Sequence, residues 1–370
     1  MRIIVDIGHP GHVHFFKNFI WEMQKRKHNI LITSSDKDVA IDLLKSYGFD
    51  FIFTSKRYSG IKLGYELLKR DLQMVKIAEK FKPDIITGIN NTIAAHVSKV
   101  TRAKSIIFTD TEHAKLANMI TFPFSDVICT PSCYRDHIGQ KQFCYEGYHE
   151  LAYLHPRYFT PNPVILQELG FTTDDRIIIM RFVSWEATHD LGHHGLTLED
   201  KRKAVHEFEK YGHVLISSEK PLPDDLEKYK ISVSPENIHN LLYYATLLYG
   251  ESATMASECA VLGTHAIFCD YAGRGYTDEE EEKYGLVYNF KNEETMGKES
   301  LNKAIKLLEN SNLKKEGTKK REILLKDKID VTAFMTRFVE QYMQAEDIPM
   351  NRNMILSSTS KMRKYLEKNP

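Results

Sequence analysis

Four clusters in this 370-residue chain combine residue types and spacings that could do chemistry, and each follows an apolar run. In the first, GESATMASECAVLG (Gly250 to Gly263), a polar turn at Gly250–Thr254 leads into a helix predicted over Met255–Leu262 and stopped at Gly263. Such a turn leaves the first N–H groups of the helix without partners and aims its positive dipole end outward, so a diphosphate is a natural guest. Gly250, Glu251, Ser252, Ala253 and Thr254 would line it, with Ser252 and Thr254 adding hydroxyl donors. Glu258 stands four residues after Thr254, about one helical turn on, where a carboxylate reaches the two hydroxyls of an attached ribose. The competing reading is that Ser252 or Thr254 caps a core helix.

The second cluster is GHPGHVH at positions 8–14, in which Gly8 and Gly11 permit close backbone approach and His9, His12 and His14 titrate near neutral pH. TDTEH at positions 109–113 is the third, with Asp110, Glu112 and His113 leaving a strand together as carboxylate and imidazole groups suited to proton transfer. A helix cap by Asp110 or Thr111 explains the same residues. The fourth, RFVSWEATHDLGHHG at positions 181–195, places Arg181, Trp185, His189, Asp190, His193 and His194 after an apolar strand. His189 and His193 have the spacing of a metal pair on a helix, but Gly192 and Gly195 weaken any helix and no Glu adjoins His189. A loop meeting substrate is the preferred reading, and no metal site is expected.

These clusters need strands to hold them, and the chain supplies them in alternation with helices. Strands are expected at Ile3–Ile7, Asn29–Ser34, Phe51–Thr54, Ile85–Gly88, Ser105–Thr109 and Asp126–Thr130, with amphipathic helical stretches between. After a break at Pro156, Pro161 and Pro163 a second series begins at Arg176–Phe182 and continues at His213–Ser217, Lys230–Val233, Thr246–Tyr249, Ala266–Cys269 and Gly285–Tyr288. Strict alternation implies right-handed crossovers and parallel sheets, hence two Rossmann-like, doubly wound α/β domains. The expected boundaries are 1–158 for an acceptor-side domain, 159–345 for a nucleotide-sugar-binding domain and 346–370 for a tail. In open parallel sheets ligands lie beyond the carboxyl ends of the strands, so the chemistry falls in a central cleft between the domains.

Composition narrows the partners. Lys+Arg and Asp+Glu both number 50, which leaves no overall field to recruit nucleic acid. No run of 18 apolar residues and no signal peptide occur, so a cytoplasmic location is expected. Five cysteines without CxxC spacing point to reduced thiols. The stretch 55–82 carries eight Lys or Arg against three acids, interleaved with Tyr58, Ile61, Leu63, Tyr65 and Leu67. It is either a solvated helix face or a peripheral contact with the inner face of an anionic membrane.

The order of these features resembles the glycosyltransferase-B (GT-B) superfamily, in which two Rossmann-like domains face each other and the C-terminal one holds a nucleotide-sugar. GHPGH at 8–12 is similar to the glycine and histidine loop of the lipid-linked N-acetylglucosaminyltransferase of peptidoglycan synthesis, which places His12 on the acceptor side. ESATMASECAVLGTHAIF followed by GRGYTDEEEEKYGLV is similar to UDP-N-acetylglucosamine 2-epimerases. By that resemblance Ser252, Ala253 and Thr254 contact the diphosphate, Glu258 the ribose, and Arg274 and Thr277 the sugar. RFVSWEATHDLGHHG most resembles an uncharacterised prokaryotic family, a domain of unknown function frequent near surface-polysaccharide genes.

The chain departs from the epimerases where they carry Gly-Asp-Thr, having Ile89, Asn90, Asn91 and Thr92 there, and asparagine exchanges no proton at neutral pH. Asp110 matches the next acidic position, but Ala114, Lys115 and Leu116 replace a downstream Pro-Glu-Glu. The expected function is therefore a metal-independent, cofactor-free glycosyltransferase that uses a UDP-sugar donor and a sugar or lipid-linked acceptor in cell-surface polysaccharide or glycoconjugate biosynthesis. His12, His14 and Asp110 are the candidate bases; His9, Gly11, Asn91, His113, Arg181, Trp185 and His189 would line the cleft. A UDP-N-acetylglucosamine 2-epimerase-like enzyme and a non-catalytic nucleotide-sugar binder remain as alternatives.

Overall fold

The computed structural model describes residues 1–36, 38–56, 63–183, 195–231 and 233–346. Seven parallel strands form the first sheet: β1 (Arg2–Ile7), β2 (Asn29–Asp36), β3 (Phe51–Lys56), β4 (Ile85–Ile89), β5 (Lys104–Phe108), β6 (Val127–Pro131) and β7 (Gln142–Tyr145), in the order β3-β2-β1-β4-β5-β6-β7. Helices α1 (Pro10–Lys25), α2 (Asp38–Ser46), α3 (Leu63–Phe81), α4 (Thr92–Val100) and α5 (Lys115–Thr121) make the crossovers. Ile3, Ile4 and Val5 are fully buried in succession, as a strand covered on both faces by helices requires. Two short helices, α6 (Leu151–Leu154) and α7 (Val164–Glu168), carry the chain to the second half.

There β8 (Ile177–Phe182), α8 (Leu198–Phe208), β9 (His213–Ser218), α9 (Asp224–Glu227), α10 (Ile238–Tyr244), β10 (Leu247–Gly250), α11 (Ala253–Leu262), β11 (His265–Cys269), α12 (Gly275–Glu282) and β12 (Val287–Phe290) follow. They build a parallel sheet in the order β12-β11-β10-β8-β9. Of the predicted strand at Lys230–Val233, the described residues show one bridge, between Ile216 and Lys230. Helices α13 (Met296–Leu308), α14 (Leu313–Asp327) and α15 (Val331–Glu346) close the chain. Although its sequence position falls within 159–345, α15 returns to the first half: Thr332 donates to the Ala152 carbonyl at 2.8 Å, Glu340 pairs with Arg26 at 2.8 Å, and Phe334 stacks on Phe143.

Strand order reverses direction between β1 and β4 in one sheet and between β8 and β10 in the other, and at such switch points a crevice opens above the strand ends. The turn between β10 and α11 and the GHPGH loop after β1 lie at these two points. Gly250 is required where β10 meets β8, since a Cβ there would sit 2.1 Å from the Arg181 carbonyl oxygen. Gly275 lets α12 touch the first half, because its Cβ would fall 2.2 Å from the Cys133 carbonyl oxygen and 2.6 Å from Glu112 Oε1. Arg135 pairs with Asp278 across the same seam, and the Tyr148 hydroxyl donates to Glu279 at 2.6 Å.

Candidate active site

Helix α11 is buried on every side except at its start, where Thr254 is exposed, and it carries Ser257 and Glu258 inward among its apolar residues. Ser252 is its extended N-cap, accepting from the Met255 N–H at 3.3 Å, and Gly263 ends it in the left-handed region at φ 83°. The capping reading of Ser252 therefore holds, and the turn reaches the surface at Thr254, at the carboxyl end of β10. Ala253 is buried in this turn. Glu251 is corrected: its carboxylate faces away from the turn, accepting from the Val183 and Leu196 N–H groups at 3.1 and 2.9 Å and pairing with Lys201 at 3.1 Å. It ties together the two ends of the segment that contains Trp185 and His189, residues that lie outside the described part of the structure along with Asp190, His193 and His194.

Glu258 is 5% exposed and accepts at Oε1 from the Tyr153 hydroxyl at 2.8 Å, with His239 Nε2 2.9 Å away. Burial raises its carboxyl to about 7, against the opposing pull of Tyr153 and the charge of Arg181. Burial, with the charge of Lys17 adding to it, pushes His239 the other way, down to about 3. Both partners are thus biased to their uncharged forms. Arg181 does not reach into the seam; it binds the Ser217 hydroxyl at 2.9 Å and Glu219 at 2.7 Å. Arg274 is the N-cap residue of α12 and folds back onto its own loop, donating to the Gly273 carbonyl at 2.6 Å and to Asp270 at 3.3 Å. Thr277 is fully buried and spends its hydroxyl on the Arg274 carbonyl at 3.1 Å, a bond back to the start of α12 that leaves it turned away from a sugar.

In the first half, His9 is the exposed N-cap of α1 and accepts from the Gly11 N–H at 3.1 Å, while His12 Nδ1 accepts from the Gly8 N–H at 3.2 Å. His14 is on the next turn and buried, stacked on Tyr153 and edge-on to His239 with ring centroids 4.6 Å apart. Burial and the adjoining His239, Lys17 and His9 hold it well below the usual histidine range, so it is a neutral packing element of the interdomain seam. Asn91 is likewise a bolt: it caps α4 by accepting from the Ala94 N–H at 2.8 Å and donates to Asp6 at 2.7 Å. His113 is half-buried in the turn before α5.

Asp110 pairs with His149 Nδ1 at 3.0 Å and accepts from Thr111 at 2.9 Å. Burial would raise its carboxyl, but the His149 charge and these hydrogen bonds outweigh burial and hold it at about 2. Beside it, burial and the charge of Asp110 lift Glu150 to about 8. Sequence reasoning missed His149, Glu150, Tyr153 and His239. The first two follow β7, a four-residue strand (QFCY) too short and mixed to read, and the last two acquire a role only where the domains meet.

Two Rossmann-like sheets with their switch points on one seam define the GT-B architecture. Residues 1–343 match the family described as "Protein of unknown function (DUF354)", and the chain belongs to that family. It is 23% identical over 285 residues to the uncharacterized protein MJ0665 of Methanocaldococcus jannaschii, covering 73% of this chain and 82% of that one. The UDP-GlcNAc 2-epimerase of Neisseria meningitidis bound to UDP-GlcNAc is similar with a TM-score of 0.63 at 13% identity, covering 93% of this chain and 100% of the other. The glycosyltransferase SsfS6 of Streptomyces sp. SF2575 is similar with a TM-score of 0.58 at 13% identity, covering 92% and 99%. At these identities the likeness to both enzymes is one of fold.

Proposed function

We propose that this protein is a UDP-sugar-dependent glycosyltransferase that needs no metal and acts in cell-surface polysaccharide or glycoconjugate biosynthesis. The observation that carries the reading is the start of α11: a first turn capped by Ser252 at a switch point and exposed at Thr254, with the Glu258 carboxyl one turn inside. The turn's N–H groups and the helix dipole would hold the diphosphate and stabilise it as the leaving group, and the second oxygen of Glu258 would meet the ribose. Transfer then requires only a proton acceptor near the incoming hydroxyl, and His12 at the start of α1 and the Asp110–His149 pair beyond β5 and β7 are the groups available for it.

An epimerase-like reaction is the second reading, favoured by Glu150 at about 8 and Glu258 at about 7, carboxyl groups that exchange protons near neutral pH. No helix among the described residues is long and apolar enough to cross a membrane. Contact with a lipid-linked acceptor would instead use α3, where Tyr65, Leu68 and Leu72 lie on one helical face at 74%, 58% and 57% exposure. The test is titration with UDP and UDP-N-acetylglucosamine while UDP release is followed with and without membrane-lipid acceptors. Release that depends on acceptor and survives EDTA supports the transferase; release or isomerisation without acceptor supports the epimerase; binding alone leaves a nucleotide-sugar binder.

A further inference from the structure

His149 stands at the seam with one ring nitrogen engaged and the other without a partner. Its Nδ1 lies 3.0 Å from Asp110, and its ring packs against Phe15 with centroids 4.5 Å apart. Nε2 is buried and has no hydrogen-bond partner among the described residues, although the residue is only 6% exposed. Asp110 lies two residues beyond β5, His149 four beyond β7, and Phe15 on the second turn of the helix that follows β1. Three strand ends thus fix one imidazole at the carboxyl edge of the first sheet, where a substrate between the domains would lie. Buried polar atoms in folded proteins are nearly always paired, so an orphan at such an edge marks a place for a ligand atom.

We propose that His149 is the catalytic base of this protein, taking the acceptor's hydroxyl proton on Nε2, and that Asp110 is the positioning residue that holds Nδ1–H. The role rests on the transferase reading. As the proton moves to Nε2, the acceptor oxygen bonds to the anomeric carbon of the donor. The bond from that carbon to the β-phosphate oxygen breaks, and its electron pair leaves with UDP at the start of α11. The proton on His149 passes to water after the products depart. The carboxylate of Asp110 fixes the tautomer and stabilises the imidazolium that forms.

The charged neighbours of the ring are Asp110 and Glu150; α1 contributes the uncharged Phe15, and Tyr145 of β7 and Tyr276 of α12 feel the field of Asp110. Burial lowers the affinity of His149 for a proton, and Asp110 and then Glu150 reverse this and raise it above the ordinary histidine value. Turnover should therefore rise with pH as the ring loses its proton, and removing the Asp110 charge should move that rise to lower pH.

The test follows the His149 ring by NMR titration and UDP release from UDP-N-acetylglucosamine with extracted bacterial membrane lipids, using wild type, His149→Gln and Asp110→Asn. His149→Gln should lower release by about a hundredfold or more with UDP binding unchanged. Asp110→Asn should shift both the ring midpoint and the acid limb of the rate downward by about one pH unit or more. Because it keeps the ring, it carries the test if His149→Gln loses UDP binding through misfolding. Wild-type release in His149→Gln, or unmoved midpoints in Asp110→Asn, overturns the dyad while leaving the transferase reading in place. No release by the wild type overturns the transferase reading and this role together, a result distinct from unimpaired variants.

Discussion

If Glu258 holds the ribose, UDP-sugar affinity must depend on pH in a particular way. Its Oε1 already faces Tyr153 at 2.8 Å and His239 at 2.9 Å, so only the ionised form has lone pairs enough for two ribose hydroxyls as well. Burial holds this carboxyl at about 7. Binding then selects the ionised fraction, and the apparent dissociation constant rises as that fraction falls. At pH 5.5 about 3% is ionised, which weakens binding by about 30-fold, or about 2 kcal/mol, relative to pH 8.5. A UDP-sugar is the right probe, because its diphosphate is esterified at both ends and keeps its charge across this range. Calorimetry in buffers of different ionisation enthalpy should detect release of close to one proton per UDP-sugar bound at pH 6. Glu258→Gln should bind weakly with no slope. Affinity that is flat from pH 5.5 to 8.5 in the wild type, with no proton released, would refute the ribose assignment.

The same carboxyl links to stability with the opposite sign. Its folded value, about 7, lies above the ordinary 4.5, so its contribution is full below about 4.5 and is lost as pH rises toward 7. Relative to wild type, Glu258→Gln should therefore gain about 3 kcal/mol between pH 4.5 and 8 in urea unfolding; a difference independent of pH would contradict it. Gly275→Ala puts a Cβ 2.2 Å from the Cys133 carbonyl oxygen and should destabilise by about 1–3 kcal/mol, seen as a lower Tm by calorimetry, whereas an unchanged Tm would mean the seam is looser than described. Leu68→Asp with Leu72→Asp should weaken sedimentation with anionic vesicles without altering UDP binding, and equal sedimentation would remove α3 as the membrane-facing element.

Much of the fold was legible because parallel strands buried on both faces read as near-continuous apolar runs, as Ile3–Val5 and Ile177–Met180 do. The start of α11 was legible for the same reason: a polar turn, an apolar helix and Gly263 follow one another locally. Side-chain direction was not. Glu251 and Ser252 are neighbours in sequence, yet Glu251 faces Lys201 under the sheet edge while Ser252 caps α11. The buried groups at the seam were missed because their chemistry is relational. His14 in GHPGHVH read as a titrating base, and only the packing of Tyr153 and His239 from other elements makes it a neutral core residue. Asp110 read as a base, and His149, reached through the unread β7, makes it a permanently charged partner.

The most direct measurement is NMR of UDP-N-acetylglucosamine incubated with the protein in deuterated water, with and without membrane-lipid acceptors. Glycosyl transfer predicts UDP released only when acceptor is present and donor recovered without deuterium at the sugar C2, since transfer makes and breaks bonds only at the anomeric carbon and exchanges no proton at C2. Deuterium at C2, or UDP-N-acetylmannosamine formed without acceptor, would contradict transfer and make epimerisation the activity of this site.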